Sequence, residues 1–171
     1  GAGPAGLYLA ILLKRDDPAH QVTVFERNRL EDGFGFGVVF SDETLDNVGE
    51  ADPETNRAMA EAAARWDDIE IHYRGSVTRS TGHRFSGVER RTLLELLARR
   101  AKALGVEIVG QREIRDPADC GPADLIVAAD GVASTLRDRL AGQFQPQLDW
   151  RTNRFVWLGT TRPFPAFTFY F

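Results

Sequence analysis

The chain has 171 residues, of which 43% are apolar and 27% charged, a composition typical of one soluble globular domain. Its net charge of −4 gives no reason to expect a nucleic-acid partner, and its single cysteine excludes an internal disulfide and favours a reducing compartment. No apolar run approaches the roughly 20 residues of a membrane span, and no signal-peptide pattern opens the sequence, so we expect a cytoplasmic protein without a membrane partner.

The first half of the chain alternates between helical and extended patterns. Apolar residues near helical spacing predict a helix over 4–14. The segment QVTVFE, at 21–26, predicts a strand buried on both faces, as in parallel sheets. A glycine-rich loop is predicted at 33–40, followed by two short helices over 42–48 and 53–66.

The second half contains more extended segments. Its patterns predict a strand over 69–74, a turn at 80–83 and an amphipathic helix over 90–104. They then predict strands over 106–109 and 123–130, a helix over 132–140 and a final sheet segment over 154–171. Gly105 is expected to end the amphipathic helix. In the final segment Phe167, Phe169 and Phe171 are expected to share one face.

Helices and strands with short connections predict an α/β fold, a Rossmann-like domain with a parallel sheet. This domain is expected to comprise 1–67 and 87–150. The segments 68–86 and 151–171 break the alternation and predict part of an inserted antiparallel sheet. The strand expected before residue 1 is missing and the second sheet stops at residue 171, so we expect an N-terminal fragment that does not turn over alone.

The first six residues carry a dinucleotide-binding pattern. Gly1, Gly3 and Gly6 form G-x-G-x-x-G at the start of a helix, where unpaired N–H groups and the positive dipole end receive phosphates. Glu26 follows the last glycine by about 20 residues, the position of an acid that accepts hydrogen bonds from ribose hydroxyls. Such an acid favours FAD or NAD over NADP. The alternative is a glycine-rich turn and a strand-ending glutamate with no ligand.

These residues, within GAGPAGLYLAILLK and VTVFERN, resemble the opening of the FAD-dependent aromatic hydroxylases, the group that includes p-hydroxybenzoate hydroxylase. The resemblance implies that the ADP half of FAD binds here. It assigns that role to matching residues: Gly1, Gly3, Pro4, Ala5, Gly6 and Glu26. Arg27 takes the place of a basic residue near the adenosine in the family, although a solvated arginine at a strand end is the alternative.

A second motif, LIVAADGVASTLR, resembles the family's Asp-Gly signature, which serves both FAD and the pyridine nucleotide that reduces it. The resemblance carries this role to Asp130, Gly131, Ser134 and Arg137. For Arg137 the favoured alternative is a surface charge or a tether between the helix and the sheet. In physical terms, a strand that runs into a sharp turn and a helix places Asp130 at the carboxyl end of a parallel strand, where such sheets bind ligands. The alternative is an aspartate that caps a helix beside a turn glycine.

Arg90 lies in the first turn of a predicted helix, where a cation faces the positive dipole end. A bound anion would remove that unfavourable interaction, and Glu89 offers an alternative partner. The resemblance implies that Arg90, with Leu93 and Leu97 at the expected spacing, reaches the flavin side of FAD; Arg91 is the second choice.

Two further segments, GFGVVFSDETLDNV and TNRFVWLGTTRPFPAFTFYF, resemble a narrower branch of the family, the salicylyl-CoA 5-hydroxylases and aminobenzoyl-CoA monooxygenases. This resemblance implies a monooxygenase that hydroxylates an aromatic acyl-CoA, with FAD as cofactor, NADH or NADPH as reductant, and dioxygen. Alternatives are a free aromatic acid or an indole-derived substrate, a non-catalytic FAD-binding fragment, and an NAD-dependent dehydrogenase, which the Asp-Gly signature disfavours.

No metal centre or catalytic residue is predicted. The three histidines lack the spacing of metal ligands, and Cys120 has no partner for nucleophilic catalysis nearby in sequence. His72, Tyr73 and His83 fall in the predicted inserted sheet and could contact substrate, although a structural role is the favoured interpretation.

Overall fold

The computed structural model describes residues 1–30, 32 and 35–171. The helices are α1 to α6, at Pro4–Asp16, Asp42–Ala51, Pro53–Ala62, Arg90–Ala103, Thr135–Arg139 and Ala141–Phe144. The strands are β1 to β6, at Thr23–Phe25, Gly37–Phe40, Ala64–Tyr73, Ser76–Glu89, Glu107–Val109 and Phe167–Tyr170. A 3-10 turn lies at Pro117–Cys120.

The chain divides into two compact units. The first comprises Gly1–Gly33 and Leu97–Val156, and the second comprises Phe34–Leu96 and Trp157–Phe171. The predicted division by role, with 1–67 and 87–150 for the cofactor and 68–86 and 151–171 for the substrate, stays a prediction.

The first unit contains a parallel pair of strands. β1 and β5 run in register from Thr23 opposite Glu107 to Phe25 opposite Val109. In α1, Leu7, Ala10 and Ile11 are buried because they recur on one helix face. The predicted α/β class with a parallel sheet is confirmed.

Three details of the first unit differ from the sequence predictions. Thr23 is exposed, so β1 is not buried on both faces. The segment 123–130 is irregular rather than a strand, and Leu125 is 70% exposed. Among the described residues, this segment belongs to neither sheet, so its backbone takes no part in strand pairing. The predicted helix 132–140 begins only at Thr135 because Ser134 caps it.

The second unit contains a mixed four-stranded sheet in the order β2-β4-β3-β6. β4 pairs antiparallel with both β2 and β3, but β6 runs parallel to β3. The predicted antiparallel sheet is therefore only partly right. Phe167 stacks on Phe85 at 4.9 Å between ring centroids, and Phe169 contacts both Phe167 and Phe171, as the shared face predicts.

The hairpin of β3 and β4 turns earlier than predicted. Its two-residue turn is Arg74-Gly75, both at positive φ, a geometry that matches the twist of the strands. The predicted turn at 80–83 lies inside β4. Gly82, at φ +88°, marks a local irregularity where Trp66 and Asp68 change register against β4. Glycine here serves a bulge within a strand.

Two other predicted element boundaries differ from the structure because of strand pairing in the same sheet. The helix predicted over 53–66 ends at Ala62, because Trp66 already pairs with Phe85 in the sheet. Part of the predicted glycine-rich loop forms β2 on β4, and Gly33 and Phe34 lie outside the described residues. Within the described ranges, no helix is both long enough and apolar enough to cross a membrane.

Candidate functional site

The glycine motif and the Asp-Gly motif meet at the start of α1. A Cβ added to Gly1 would lie 2.6 Å from the Ala129 carbonyl oxygen and 3.7 Å from the Asp130 Cα. A Cβ on Gly6 would lie 2.0 Å from the Gly1 carbonyl oxygen. Gly1 and Gly6 therefore allow close packing of the backbone. A Cβ on Gly3 would meet nothing within 4 Å, so the space beside this residue is open.

The start of α1 is suited to an anion. Gly3 is the N-cap without a side-chain hydrogen bond, Pro4 occupies the first turn, and that turn contains no acidic residue. Helix geometry leaves the N–H groups of Ala5 and Gly6 without partners inside the helix. Together with the dipole, these groups can receive a phosphate in the open space at Gly3.

Glu26 lies against the glycine motif. Its Oε2 accepts a hydrogen bond from the Ala2 N–H at 2.8 Å, and its Oε1 accepts one from the Asn28 N–H at 2.9 Å. A carboxylate has about four acceptor positions, so capacity remains for ribose hydroxyls. Arg27 is exposed at the same strand end.

The Asp-Gly motif forms a turn organised by the carboxylate of Asp130. Gly131 has φ +86°, a conformation that strains other residues. Oδ1 of Asp130 accepts from the Ser134 hydroxyl at 2.6 Å, and Oδ2 accepts from the Leu136 N–H at 3.3 Å. Arg137 donates to the Val132 carbonyl at 2.8 Å, and this contact closes the turn.

The Asp130 carboxylate is a source of pH-dependent stability. Partial burial alone would raise the pKa of Asp130, but hydrogen bonds from Ser134 and from backbone N–H groups, including that of Leu136, lower the pKa below its ordinary 3.8. Because the folded-state pKa is lowered, the stabilisation is present above the ordinary pKa and is lost as the pH falls through the folded-state pKa.

We therefore expect Asp130→Asn to lower the free energy of unfolding by about 1 kcal/mol at pH 7, a modest value because the group is partly solvated. The difference from wild type should stay constant down to pH 5 and vanish on acidification through the folded-state pKa. Denaturant unfolding at a series of pH values measures it, with Asp124→Asn as an exposed control in the same segment. A difference that persists in strong acid would contradict the assignment.

Arg90 stands in the second unit, beside the glycine-rich loop. Its backbone N–H donates to the Phe36 carbonyl at 3.0 Å, and its Cδ lies 3.6 Å from the position of a Cβ on Gly35, which has φ +86°. The buried Nε of Arg90 has no hydrogen-bond partner among the described residues. By contrast, Arg91 is exposed and pairs with Glu95 at 2.9 Å.

Leu93 and Leu97, at 2% and 3% exposure, are core residues. Glu89, the alternative partner for Arg90, accepts a hydrogen bond from the Thr92 hydroxyl at 3.0 Å. The structure thus brings Gly1, Gly3, Gly6, Glu26 and Asp130 together in the first unit, while Arg90 belongs to the other unit.

A row of interacting charged side chains on the β3–β4 hairpin was not predicted from the sequence. Arg79 donates to Asp68 Oδ2 at 2.6 Å and to Glu70 Oε1 at 3.0 Å. The Nε2 of His72 lies 3.4 Å from the Glu70 carboxylate, and its ring lies 4.4 Å from the Tyr170 ring between centroids, tilted by 31°. Alternation along β3 places these acids and the histidine on one face, a signal that the sequence contains.

The other candidates in this sheet have local partners. The Nε2 of His83 contacts the Ser80 hydroxyl at 2.7 Å, and Arg74 lies over the ring of Tyr73. In the described part of the chain, no group of three metal-binding side chains is positioned to hold an ion.

Comparisons with known proteins find relatives over nearly the whole chain. Salicyloyl-CoA 5-hydroxylase of a Streptomyces species is 47% identical over 169 residues, covering 99% of this chain and 33% of the relative. The 3-hydroxy-4-methyl-anthranilyl-[aryl-carrier protein] 5-monooxygenase of Streptosporangium sibiricum is 31% identical over 162 residues, covering 95% of this chain and 45% of the relative. No protein-family model matches.

Among solved structures, 2-methyl-3-hydroxypyridine-5-carboxylic acid oxygenase superposes with a TM-score of 0.71 at 29% identity, over 82% of this chain and 40% of the other. The chain thus spans between a third and a half of the length of these proteins. The predicted resemblance to aromatic hydroxylases, with salicylyl-CoA 5-hydroxylase among them, is confirmed.

Proposed function

We propose that the protein containing this chain is an FAD-dependent monooxygenase that hydroxylates an aromatic acyl-CoA such as salicylyl-CoA, with NADH or NADPH and dioxygen as co-substrates. The observation that carries the proposal is the meeting of the glycine motif, Glu26 and the Asp130 turn at the start of α1. The 47% identity to salicyloyl-CoA 5-hydroxylase supports the choice of reaction and substrate.

In this proposal the first unit binds the ADP half of FAD. The N–H groups of Ala5 and Gly6 would donate to the pyrophosphate, which the open space at Gly3 would admit. The free acceptor positions of Glu26 would take ribose hydroxyls, and Arg27 would lie near the adenosine.

Three further residues complete the proposed cofactor contacts. Asp130 and Gly131 would shape the turn that lies against the phosphate side of the cofactor, since the carboxylate of Asp130 is already engaged by Ser134. Arg90 would serve the flavin side, because an anionic or carbonyl acceptor would supply the partner that its buried Nε lacks among the described residues.

The bound flavin would supply the oxygen-transfer chemistry, and the protein's residues would bind, orient and exclude water. The aromatic face of the second unit, formed by Phe85, Phe167 and Phe169, offers apolar surface for an aromatic ring. We assign this face to the substrate side, in line with the proposed roles of 68–86 and 151–171.

The visible spectrum of the whole purified protein tests the cofactor. We expect flavin absorption bands, or their appearance when FAD is added to protein depleted of it. A protein without these bands, and without any gain on adding FAD, would rule out the proposed function.

Consumption of NADH or NADPH tests the substrate. Salicylyl-CoA should stimulate consumption and yield a hydroxylated thioester, whereas free salicylate should do neither. Stimulation by free salicylate or by an indole-derived acid would replace the acyl-CoA assignment. Bound flavin without turnover on any of these compounds would indicate a non-catalytic FAD-binding protein.

A further inference from the structure

We infer that Glu26 is a positioning residue for the glycine loop, in addition to its proposed contact with the ribose. Its carboxylate fixes the Ala2 N–H, and thereby the phosphate-binding backbone, against the end of β1. This inference rests on the proposed nucleotide site and concerns how that site is held in shape before a ligand arrives.

The two oxygens of Glu26 bridge two separate stretches of backbone. One accepts from Ala2, inside the glycine motif, and the other from Asn28, beyond β1, at 2.8 and 2.9 Å. Both are charge-assisted hydrogen bonds at a half-buried group, the stronger kind of backbone contact. The carboxylate thus links the loop to the sheet.

The sheet end of this link is itself fixed. The Arg112 N–H donates to the Glu26 carbonyl at 2.8 Å, and the Gln111 N–H donates to the Asn28 carbonyl at 3.0 Å. These bonds connect the two chain segments beyond the ends of β1 and β5, outside the regular parallel pairing. The backbone of Glu26 is thus hydrogen-bonded on both its N–H and its carbonyl, and a group bound to its carboxylate is tied to this part of the first unit.

The loop end needs such an anchor. Gly1 and Gly3 have no side chains that could pack the loop in place, and glycine has the largest backbone freedom to lose on ordering. Without the bond from Ala2 to Glu26, a nucleotide would have to order this backbone as it binds. The entropy lost in that ordering would lower the affinity equally for nucleotides with and without ribose hydroxyls.

A ligand without ribose hydroxyls separates the two roles. We propose to measure the affinities of ADP and of 2′,3′-dideoxy-ADP for the whole protein, freed of flavin, in wild type and Glu26→Gln. Glutamine offers one acceptor oxygen, and its NH2 would face an N–H donor, so one of the two bridging bonds is lost. Glu107→Gln is the matched control, because it removes the same charge from β5, where the carboxylate contacts Thr23 and not the loop.

We expect Glu26→Gln to weaken both ligands by about tenfold, and the control to leave both within about twofold of wild type. Amide hydrogen exchange in residues 1–6 should also be faster in ligand-free Glu26→Gln. Weakening confined to ADP, with dideoxy-ADP affinity and exchange unchanged, would overturn the positioning role.

A wild-type protein that binds neither ligand would instead overturn the proposed nucleotide site, so the two failures are distinguishable. If Glu26→Gln does not fold, Glu26→Asp provides the same comparison. It keeps the charge, but its shorter side chain cannot reach both N–H groups, so dideoxy-ADP should again bind more weakly than to wild type.

Discussion

Gly6→Ala is expected to destabilise the protein by about 3 kcal/mol and to abolish nucleotide binding. The added methyl group would lie 2.0 Å from the Gly1 carbonyl oxygen and 3.2 Å from the Ala129 Cβ. The first of these neighbours is a backbone atom, so a rotamer change cannot relieve the clash. The start of α1 would have to move away from the Asp130 turn.

Denaturant unfolding followed by circular dichroism measures the effect on stability. Gly142→Ala is the matched control, because this glycine lies in α6 of the same unit and its added Cβ would meet nothing within 4 Å. That variant should be neutral or slightly stabilised, since alanine favours a helix over glycine. Equal stability of Gly6→Ala and wild type would contradict the packing described for the glycine motif.

Unlike Gly6→Ala, Gly3→Ala is expected to leave the stability of the fold unchanged. It should lower the affinity for FAD about 100-fold. Gly3 has φ −72°, which alanine adopts without strain, and the methyl group would meet no protein atom within 4 Å. The same methyl group would occupy the space proposed for the pyrophosphate. The loss of affinity therefore comes from a clash between the methyl group and the bound ligand, and not from a change in the protein's own packing.

Titration of the flavin-free protein with FAD, followed by flavin fluorescence, measures the affinity of Gly3→Ala. The unfolding free energy of the same variant should lie within about 0.5 kcal/mol of wild type. Wild-type FAD affinity in Gly3→Ala would show that no phosphate approaches this residue. In that case the ADP half would have to bind elsewhere.

The sequence was most informative where side chains or their absence decide the structure. The spacing of three glycines predicted a tight backbone turn, and the structure shows close approach at Gly1 and Gly6 with open space at Gly3. The partners of Glu26 were not predictable, because Ala2 and Asn28 contribute main-chain N–H groups that any residue except proline supplies.

Strand pairing was harder to predict for a similar reason. The residues around Gly82 are of types common in turns, but the pairing of β3 with β4 places Gly82 within an irregular part of β4. The direction of β6 depends on the path of the chain before Phe167, which local alternation does not encode. The segment 123–130 has the apolar residues of a strand, yet it needs a neighbour to become one.

The irregular segment 123–130 also has a consequence for solubility. Leu125, Ile126 and Val127 are 70%, 39% and 47% exposed, and the run from Leu125 to Ala129 contains no charge or proline. An uncharged apolar stretch that belongs to neither sheet of the described structure can pair with the same stretch of another molecule. Where the rest of the whole protein leaves this stretch exposed, we expect it to promote aggregation as concentration rises, and a charged residue in place of Leu125, the most exposed of the three, to reduce that aggregation.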